Sequence, residues 1–142
     1  MPTFYHGKNA HFALDNASGT LTDISNTVNE VSLPMSVETG ETTVFGNSDK
    51  TYISGLGDQT ISVSGIFDAT VNTHITGVIA ALKAGTVATS SFQYGPSGSV
   101  STRPKFTGEG IITSYEIGSP VGDIVTYSLE LQVSGSVTVG TF

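Results

Sequence analysis

The chain has 142 residues and carries five Lys or Arg residues against twelve Asp or Glu residues, a net charge of −7 at pH 7. It has no cysteine, which excludes disulfides and thiolate metal sites. The small number of basic residues argues against a surface that binds the phosphates of nucleic acids. Hydrophobic residues make up 37% of the sequence, enough for one packed core, whereas only 12% are charged. No shift in composition divides the chain, so we predict a single domain over residues 1–142.

Apolar and polar residues alternate with period two along much of the chain, which predicts β-strands. Pro34 interrupts one alternating run and predicts an edge or a bulge, because proline cannot donate a backbone hydrogen bond. Gly65 predicts a bend in another run, and residues 23–29 favour a short helical turn. The strands predicted in the first half cover residues 10–15, 31–37, 42–45 and 61–67.

A polar stretch over residues 46–57 lacks the pattern of a packed element. It opens with Gly-Asn-Ser-Asp-Lys and continues to Gly57 without an apolar face. We predict either a long flexible loop or a hairpin arm that does not pack on its own domain.

One amphipathic helix is predicted over about residues 69–84, because five apolar side chains recur there at helical spacing. Asp68 or Thr70 is suited to cap its start, and Gly85 follows its last turn as a helix-ending residue. The apolar stripe consists of Val71, Ile75, Val78, Ile79 and Leu82.

The second half of the chain returns to alternation, with a surface loop predicted over residues 95–104. Its strands cover residues 90–94, 111–117, 125–133 and 136–139. The elements together predict a mainly β fold, a small antiparallel β-barrel or sandwich of about eight strands with one flanking amphipathic helix.

The sequence offers little from which to build an active site. His6 and His11 would lie on opposite faces of a strand and cannot easily share a metal ion. Glu109 and Glu116 could face each other across a sheet, but such a pair is weak evidence for a glycosidase. No serine lies in a nucleophile elbow. We therefore predict no enzymatic activity, no metal and no cofactor.

Several stretches in order resemble the tail tube (major tail) proteins of long-tailed bacteriophages. The most specific is Gly-Leu-Gly-Asp at 55–58, followed by Ser-Gly-Ile-Phe-Asp at 64–68 and then the helix. The resemblance covers nearly the whole chain. Its further motifs lie at residues 11–16, 21–25, 28–34 and 120–123.

The resemblance implies a subunit that forms hexameric rings, which stack into a hollow tube in which sheets of neighbouring subunits line the lumen. The loop over residues 46–57 would reach the adjacent ring, and residues 1–8 would form an N-terminal arm that also contacts it. The candidate residues for contact between rings are Phe4, Tyr5, Asn47, Asp49, Lys50 and Tyr52.

A tube of this kind implies a lumen through which DNA passes without specific binding. Carboxylates in the lumen would repel phosphates, and Glu38 and Glu130 are the candidates to face it. The implied partners are copies of the chain and the tape measure, initiator and terminator proteins of the tail. Residues 1–8 do not resemble an export signal and no apolar run could cross a membrane. We expect no membrane contact, assembly in the host cytoplasm and a final location in the virion tail.

Other interpretations remain open from the sequence. The chain could be a β-sandwich binding or adhesion module, although it has no Trp and only five Tyr residues to offer as sugar platforms. It could equally be another tail component, such as a terminator or decoration protein. Of the two kinds of tail, contractile and non-contractile, we favour the non-contractile kind.

Overall fold

The computed structural model describes residues 2–142 and shows a mainly β protein, which confirms the predicted fold class. A 3-10 turn at Gly7–Asn9 precedes the first strand, and helix α1 spans Ala69–Ala84. The strands are β1 (His11–Asp15), β2 (Leu21–Asp23), β3 (Val28–Ser32), β4 (Met35–Glu41), β5 (Tyr52–Ile66), β6 (Ser90–Gly95), β7 (Pro104–Gly118) and β8 (Thr126–Thr141).

All strand pairs are antiparallel and form one sheet in the order β2-β1-β6-β7-β8-β5-β3, with β4 paired to β5 outside this path. Within the described chain β2 and β3 end the path, so the sheet is not closed into a barrel. Its inward face packs against α1 around one apolar cluster. The side chains with the least exposure there are Phe12, Leu14, Ile61, Val63, Ile75, Phe92, Leu129 and Leu131.

Helix α1 has the bounds that the sequence predicts, because both of its ends are set locally. The Asp68 carboxylate accepts hydrogen bonds from the backbone N–H groups of Thr70 and Val71, at 3.0 and 3.2 Å. Gly85 follows with φ 75°, which an L side chain rarely adopts. Val71, Ile75 and Val78 are buried, whereas Leu82 at the end of the stripe is only half-buried. Within the described residues no helix is both long and apolar enough to cross a membrane.

The single strand predicted over residues 31–37 is in fact two strands. β3 ends at Ser32 and β4 begins at Met35, because Pro34 between them cannot donate to a ladder. Gly65 is required opposite β3, where the register shifts between Val28 and Glu30. A Cβ atom on Gly65 would lie 2.1 Å from the carbonyl oxygen of Thr27, so no other residue fits there.

Three further expectations differ from the structure. Residues 23–29 form a single hydrogen-bonded turn and no helix, since β2 ends at Asp23, β3 begins at Val28, and the N–H groups of Thr27 and Val28 donate to the carbonyls three residues before them. Residues 42–45 form no strand, and β5 begins at Tyr52, so the predicted loop over 46–57 ends earlier. The separate strands predicted over 125–133 and 136–139 are one strand, β8, which continues through a bulge.

A bulge also changes which residues of β7 face the core. The register with β8 shifts between Ile112 and Ser114, which inserts one unpaired residue and reverses the alternation. Ile112 and Tyr115 therefore both pack against the core, whereas Ile111 is 41% exposed. The strict alternation of 111, 113, 115 and 117 that the sequence suggests is wrong for this reason.

Candidate assembly surfaces

A two-stranded hairpin extends beyond the core and forms the first candidate surface. β4 pairs with the first half of β5 from Met35 opposite Gln59 to Glu41 opposite Tyr52. We name residues 35–59 the hairpin arm. Every residue from Pro34 to Asp58 is exposed, and at the base of the arm Asp58 and Gln59 accept hydrogen bonds from the Gln132 side chain of β8.

The hairpin arm is more apolar than a solvated hairpin needs to be. Apolar or aromatic side chains on both of its strands and in its connection are each at least half exposed, and Phe45 is fully so. Exposed apolar groups of this kind mark contacts with another protein. The side chains are Met35, Val37, Val44, Phe45, Tyr52, Ile53 and Leu56.

The connection between β4 and β5 is closed by short local hydrogen bonds. The backbone N–H of Thr42 donates to the Thr51 carbonyl at 2.8 Å, and that of Asn47 donates to the Val44 carbonyl at 3.2 Å. Asp49 and Lys50 are exposed in the same connection. The structure therefore brings Asn47, Asp49 and Lys50 together at the tip, with Tyr52 starting β5 beside them.

The N-terminal candidates, Phe4 and Tyr5, precede the 3-10 turn. Phe4 is 88% exposed, and Tyr5 is half exposed with the Arg103 guanidinium 5.1 Å from the centre of its ring. This cation–π contact holds the segment against the loop that precedes β7. Met1, the first residue of the predicted N-terminal arm, lies outside the described residues.

The outward face of β3, β5, β8 and β7 forms the second candidate surface. Strand pairing aligns its side chains in two rows that run across the sheet. Within a row, each residue is paired with the residue on the neighbouring strand. One row is Glu30, Ser64, Ser128 and Glu116, and the other is Ser32, Ser62, Glu130 and Ser114. We name these eight residues the acidic face.

The four strands of the acidic face supply almost no positive charge to compensate its carboxylates. β3, β5 and β8 contain no Lys or Arg, and β7 has only Lys105 near its start. The face therefore presents Glu30, Glu116 and Glu130 among serine hydroxyls. Such a surface repels phosphate groups and offers them no cation to bind.

The structure separates the two lumen candidates of the sequence. Glu130 lies on the acidic face, whereas Glu38 lies on the hairpin arm, on β4 opposite a bulge of β5. Sequence reasoning did not select Glu30 and Glu116, although both occupy polar positions next to apolar ones. Glu109 and Glu116 do not face each other, because both belong to β7, and Glu109 instead accepts hydrogen bonds from Thr89 and Ser91.

A cluster of His11, Asp23 and Ser25 contains the residue types of a catalytic triad but not the geometry. The Ser25 hydroxyl lies 2.8 Å from the Phe12 backbone N–H and hydrogen-bonds to Asp23, so it joins β1 to the turn after β2. Partial burial raises the pKa of Asp23, but hydrogen bonds from the Ser25 side chain and backbone together with His11 lower it below its usual value. The cluster is structural. No group of three or more potential metal ligands occurs within residues 2–142.

The family comparison assigns the chain to a known class of protein. A family model described as phage tail tube protein matches residues 27–139. The chain belongs to the phage tail tube protein family. The match runs from the turn before β3 to residue 139 near the end of β8, so it includes the hairpin arm and the whole acidic face.

Solved structures with the same fold come from several kinds of tail. A chain in the tail of an empty gene transfer agent particle with C6 symmetry superposes with a TM-score of 0.77 at 17% identity, over 96% of this chain and 99% of that one. The SPP1 tail tube gives 0.71 at 14% identity, over 98% and 80%. A sheath-tube complex of an extracellular contractile injection system gives 0.74 at 14% identity, over 100% and 95%.

The resemblance to tail tube proteins drawn from the sequence is thus confirmed. No curated protein sequence matches the chain significantly. As a member of the family, the chain is a structural protein of a tail tube and a part of the virion tail. The fold is common to the SPP1 tail tube and to a contractile injection system.

Proposed function

We propose that six copies of this chain form a ring, and that such rings stack into the hollow tube of a tail with the acidic face toward the lumen. In this proposal residues 1–142 act as one domain, and the sheets of neighbouring subunits join around the channel. The observation that carries it is the acidic face, four strands wide, built only from Ser and Glu in a member of the tail tube family.

A channel for DNA needs walls that do not bind it. Double-stranded DNA carries a dense negative charge, and a protein binds it mainly by neutralising phosphates with Lys and Arg. Glu30, Glu116 and Glu130 in every copy would give the lumen the same sign as the DNA. DNA would then pass without being held, which suits a conduit better than a binding site.

Stacking of rings requires contacts along the tube axis. The hairpin arm supplies exposed apolar area that its own subunit leaves uncovered, and Asn47, Asp49, Lys50 and Tyr52 lie at or beside its tip. Phe4 and Tyr5 are further contact residues in this proposal. Glu38, being on the arm, would lie at the junction between rings rather than along the sheet of one subunit.

The wider setting follows from the same proposal. Subunits would assemble in the host cytoplasm on an initiator, with a tape measure protein inside and a terminator at the end. We place the tube in a non-contractile tail, which is tested by purifying virions and asking whether a sheath protein surrounds the tube.

The test begins with electron microscopy of the purified protein at high concentration, where we expect hollow tubes of uniform diameter built from six-fold rings. Tubes of the double variant Glu116→Lys/Glu130→Lys are then mixed with double-stranded DNA. We expect these tubes to retain DNA and partly protect it from nuclease, whereas wild-type tubes retain none. A matched control, Asp123→Lys with Thr73→Lys and Ala80→Lys, makes the same change in charge at exposed positions outside the acidic face and the hairpin arm.

The outcomes separate the parts of the proposal. Failure of the wild type to form rings or tubes, even with tail initiator proteins added, would contradict a tube subunit. Tubes that form normally but retain DNA equally in the acidic-face and control variants would contradict the placement of the acidic face in the lumen.

A further inference from the structure

The sheet forks at the point where the hairpin arm leaves the core. β5 is paired with β8 from Thr60 opposite Gln132 to Ile66 opposite Thr126. Before Thr60, β5 is paired with β4 in the arm, and after Gln132, β8 is paired with β7. The direction of the arm relative to the acidic face is therefore set at this fork.

Beyond the fork, β8 bends and its ladder cannot guide the arm. The register between β7 and β8 shifts between Thr107 and Glu109, where β8 supplies the additional residues, and Gly135 in that part of β8 has a φ of 89°. A bulge of this kind bends the strand that contains it. The attachment of the arm to β8 is thus limited to what Gln132 and its neighbours provide.

Four residues join three strands across the fork. The side-chain amide of Gln132 on β8 donates hydrogen bonds to the Asp58 carboxylate at 2.8 Å and to the Gln59 carbonyl at 3.1 Å. The backbone carbonyl of Asp58 accepts a hydrogen bond from the Ser36 hydroxyl of β4 at 3.0 Å. We name these four residues the arm base. Within residues 2–142 no other side-chain hydrogen bond joins the hairpin arm to the rest of the subunit.

The arm is long compared with this attachment. From Asp58 to Tyr52, β5 extends over roughly 20 Å at about 3.3 Å per residue. A swing of about 10° at the arm base therefore moves Tyr52 by about 3 Å, the length of a hydrogen bond. A two-stranded hairpin has little stability of its own, so the position of the tip depends on how firmly the base is held.

We propose that Gln132 is the positioning residue that fixes the direction of the hairpin arm in the free subunit. Its side chain replaces the backbone pairing that β5 and β8 no longer make beyond the fork. The consequence for assembly rests on the proposed tube, because an arm already held in one direction loses less conformational freedom when it makes a contact. The direction of the arm is a property of one subunit and can be measured without tubes.

The test exchanges the amide donor for an acceptor of the same shape. Gln132→Glu places a carboxylate against the Asp58 carboxylate and the Gln59 carbonyl, so both hydrogen bonds are lost. Because the chain has no cysteine, spin labels at Ile53→Cys on the arm and Ala80→Cys on α1, both exposed, report the position of the arm. Double electron–electron resonance at a protein concentration below assembly measures the distance between the labels. We expect a narrow distance distribution with Gln132 and a broad one with Gln132→Glu.

Two variants control for charge. Gln59→Glu adds the same negative charge beside Asp58 but leaves the arm base intact, since only the backbone carbonyl of Gln59 takes part, and should keep the narrow distribution. Gln132→Glu/Asp58→Asn returns a donor to the pair and the net charge to that of the wild type. This double variant should narrow the distribution again. Urea midpoints of the labelled proteins show that each variant folds.

Tube formation by the unlabelled proteins is then followed by electron microscopy. We expect Gln132→Glu to require a higher protein concentration than the wild type, and Gln132→Glu/Asp58→Asn to recover part of this loss. Equal distance distributions in the wild type and Gln132→Glu would overturn the inference and leave the proposed tube intact. A broad distribution in a variant that assembles as the wild type does would overturn it as well. A wild type without rings or tubes would contradict the proposed function, whereas the distances in the free subunit would still support or overturn the role of Gln132.

Discussion

Asp68 decides where helix α1 begins, because its carboxylate accepts hydrogen bonds from two backbone N–H groups that the first turn leaves without partners. Its negative charge also lies at the positive end of the helix dipole. The chain leaves β5 at Ile66 and enters the helix at Ala69, so this cap stands at the junction of the sheet and the helix that covers it.

Replacing this cap should weaken the subunit measurably. We expect Asp68→Ala to lower the free energy of unfolding by about 1 kcal/mol, since both capped N–H groups lose their acceptor. Urea denaturation followed by circular dichroism measures the change. The control Asp49→Ala removes an equal charge from the exposed arm tip and should change stability by no more than about 0.5 kcal/mol. Equal effects of the two variants would contradict the capping role.

Tyr127 is the most buried of the tyrosines whose hydroxyl groups are held near the core. Its hydroxyl lies 3.2 Å from the Thr27 hydroxyl, and only 2% of its surface is exposed. Burial raises its pKa above the usual value of 10.0, although the hydrogen bond to Thr27 lowers it in part. Burial also raises the pKa of Tyr94 and Tyr115.

These shifts predict loss of stability in alkaline solution. At a pH between the usual tyrosine pKa of 10.0 in the unfolded chain and the higher pKa in the folded chain, the unfolded chain has released protons that the folded chain still holds. The contribution of these buried tyrosines to the free energy of unfolding is therefore complete below about pH 10 and is lost as the pH rises further. Urea midpoints measured from about pH 9 to about pH 11 should fall, and fall less steeply in Tyr127→Phe. An identical slope in the variant would show that Tyr127 does not take part.

Among the elements, the hairpin arm and the core-facing strands have similar sequences but opposite surroundings. β4 alternates apolar and polar residues as a half-buried strand does, yet all seven of its residues are exposed. β8 uses the same alternation to bury Tyr127, Leu129, Leu131 and Val133. The two strands differ in their pairing, because β4 is hydrogen-bonded only to the first half of β5, which lies outside the core.

The arm should therefore be dispensable for folding and necessary for assembly. Replacing residues 42–51 by Asn-Gly, a favourable two-residue hairpin turn, removes the tip while β4 and β5 can still pair. We expect an unchanged urea midpoint and no tubes by electron microscopy, because no buried residue is lost. Val100→Ser, a change at an exposed apolar residue outside the arm, should leave tube formation intact. Tubes of normal length from the shortened variant would show that the tip is not an axial contact.

The molecule as a whole carries a charge that opposes its own assembly. Each copy has a net charge of −7, so bringing copies together in a ring raises the repulsion between them. The exposed apolar side chains of the hairpin arm favour assembly. The balance between the two is sensitive to ionic strength, because salt screens charges and leaves apolar contacts in place.

Raising the salt concentration should therefore promote assembly. The screening length falls from about 10 Å at 0.1 M salt to about 3 Å at 1 M. We expect tube formation, followed by light scattering, to start sooner and at lower protein concentration as sodium chloride rises over this range. A series with sucrose at matched osmolality controls for crowding. Slower assembly at high salt would mean that attraction between opposite charges, rather than apolar contact, dominates the interfaces.

The features that could be predicted from the sequence are those set by residues close together in the chain. Helix α1 was predicted with its bounds, since its stripe and both caps lie within about twenty residues. The acidic face was reached only at Glu130. Its other carboxylates, Glu30 and Glu116, come from strands far apart in sequence and meet through pairing across β5 and β8. The bulge in β7 was missed because nothing in the run from Ile111 to Ile117 marks it.

The sequence by itself determined the family, the mainly β fold, the helix and the scarcity of positive charge, all of which rest on local pattern, motif order or composition. Only the tertiary structure decided which alternating runs face the core, which carboxylates share one surface, and which pair of strands forms the exposed hairpin arm. The physical reason is that an alternating strand has two possible environments for each face. The choice is made by long-range strand pairing and by bulges, which short-range sequence preferences do not encode.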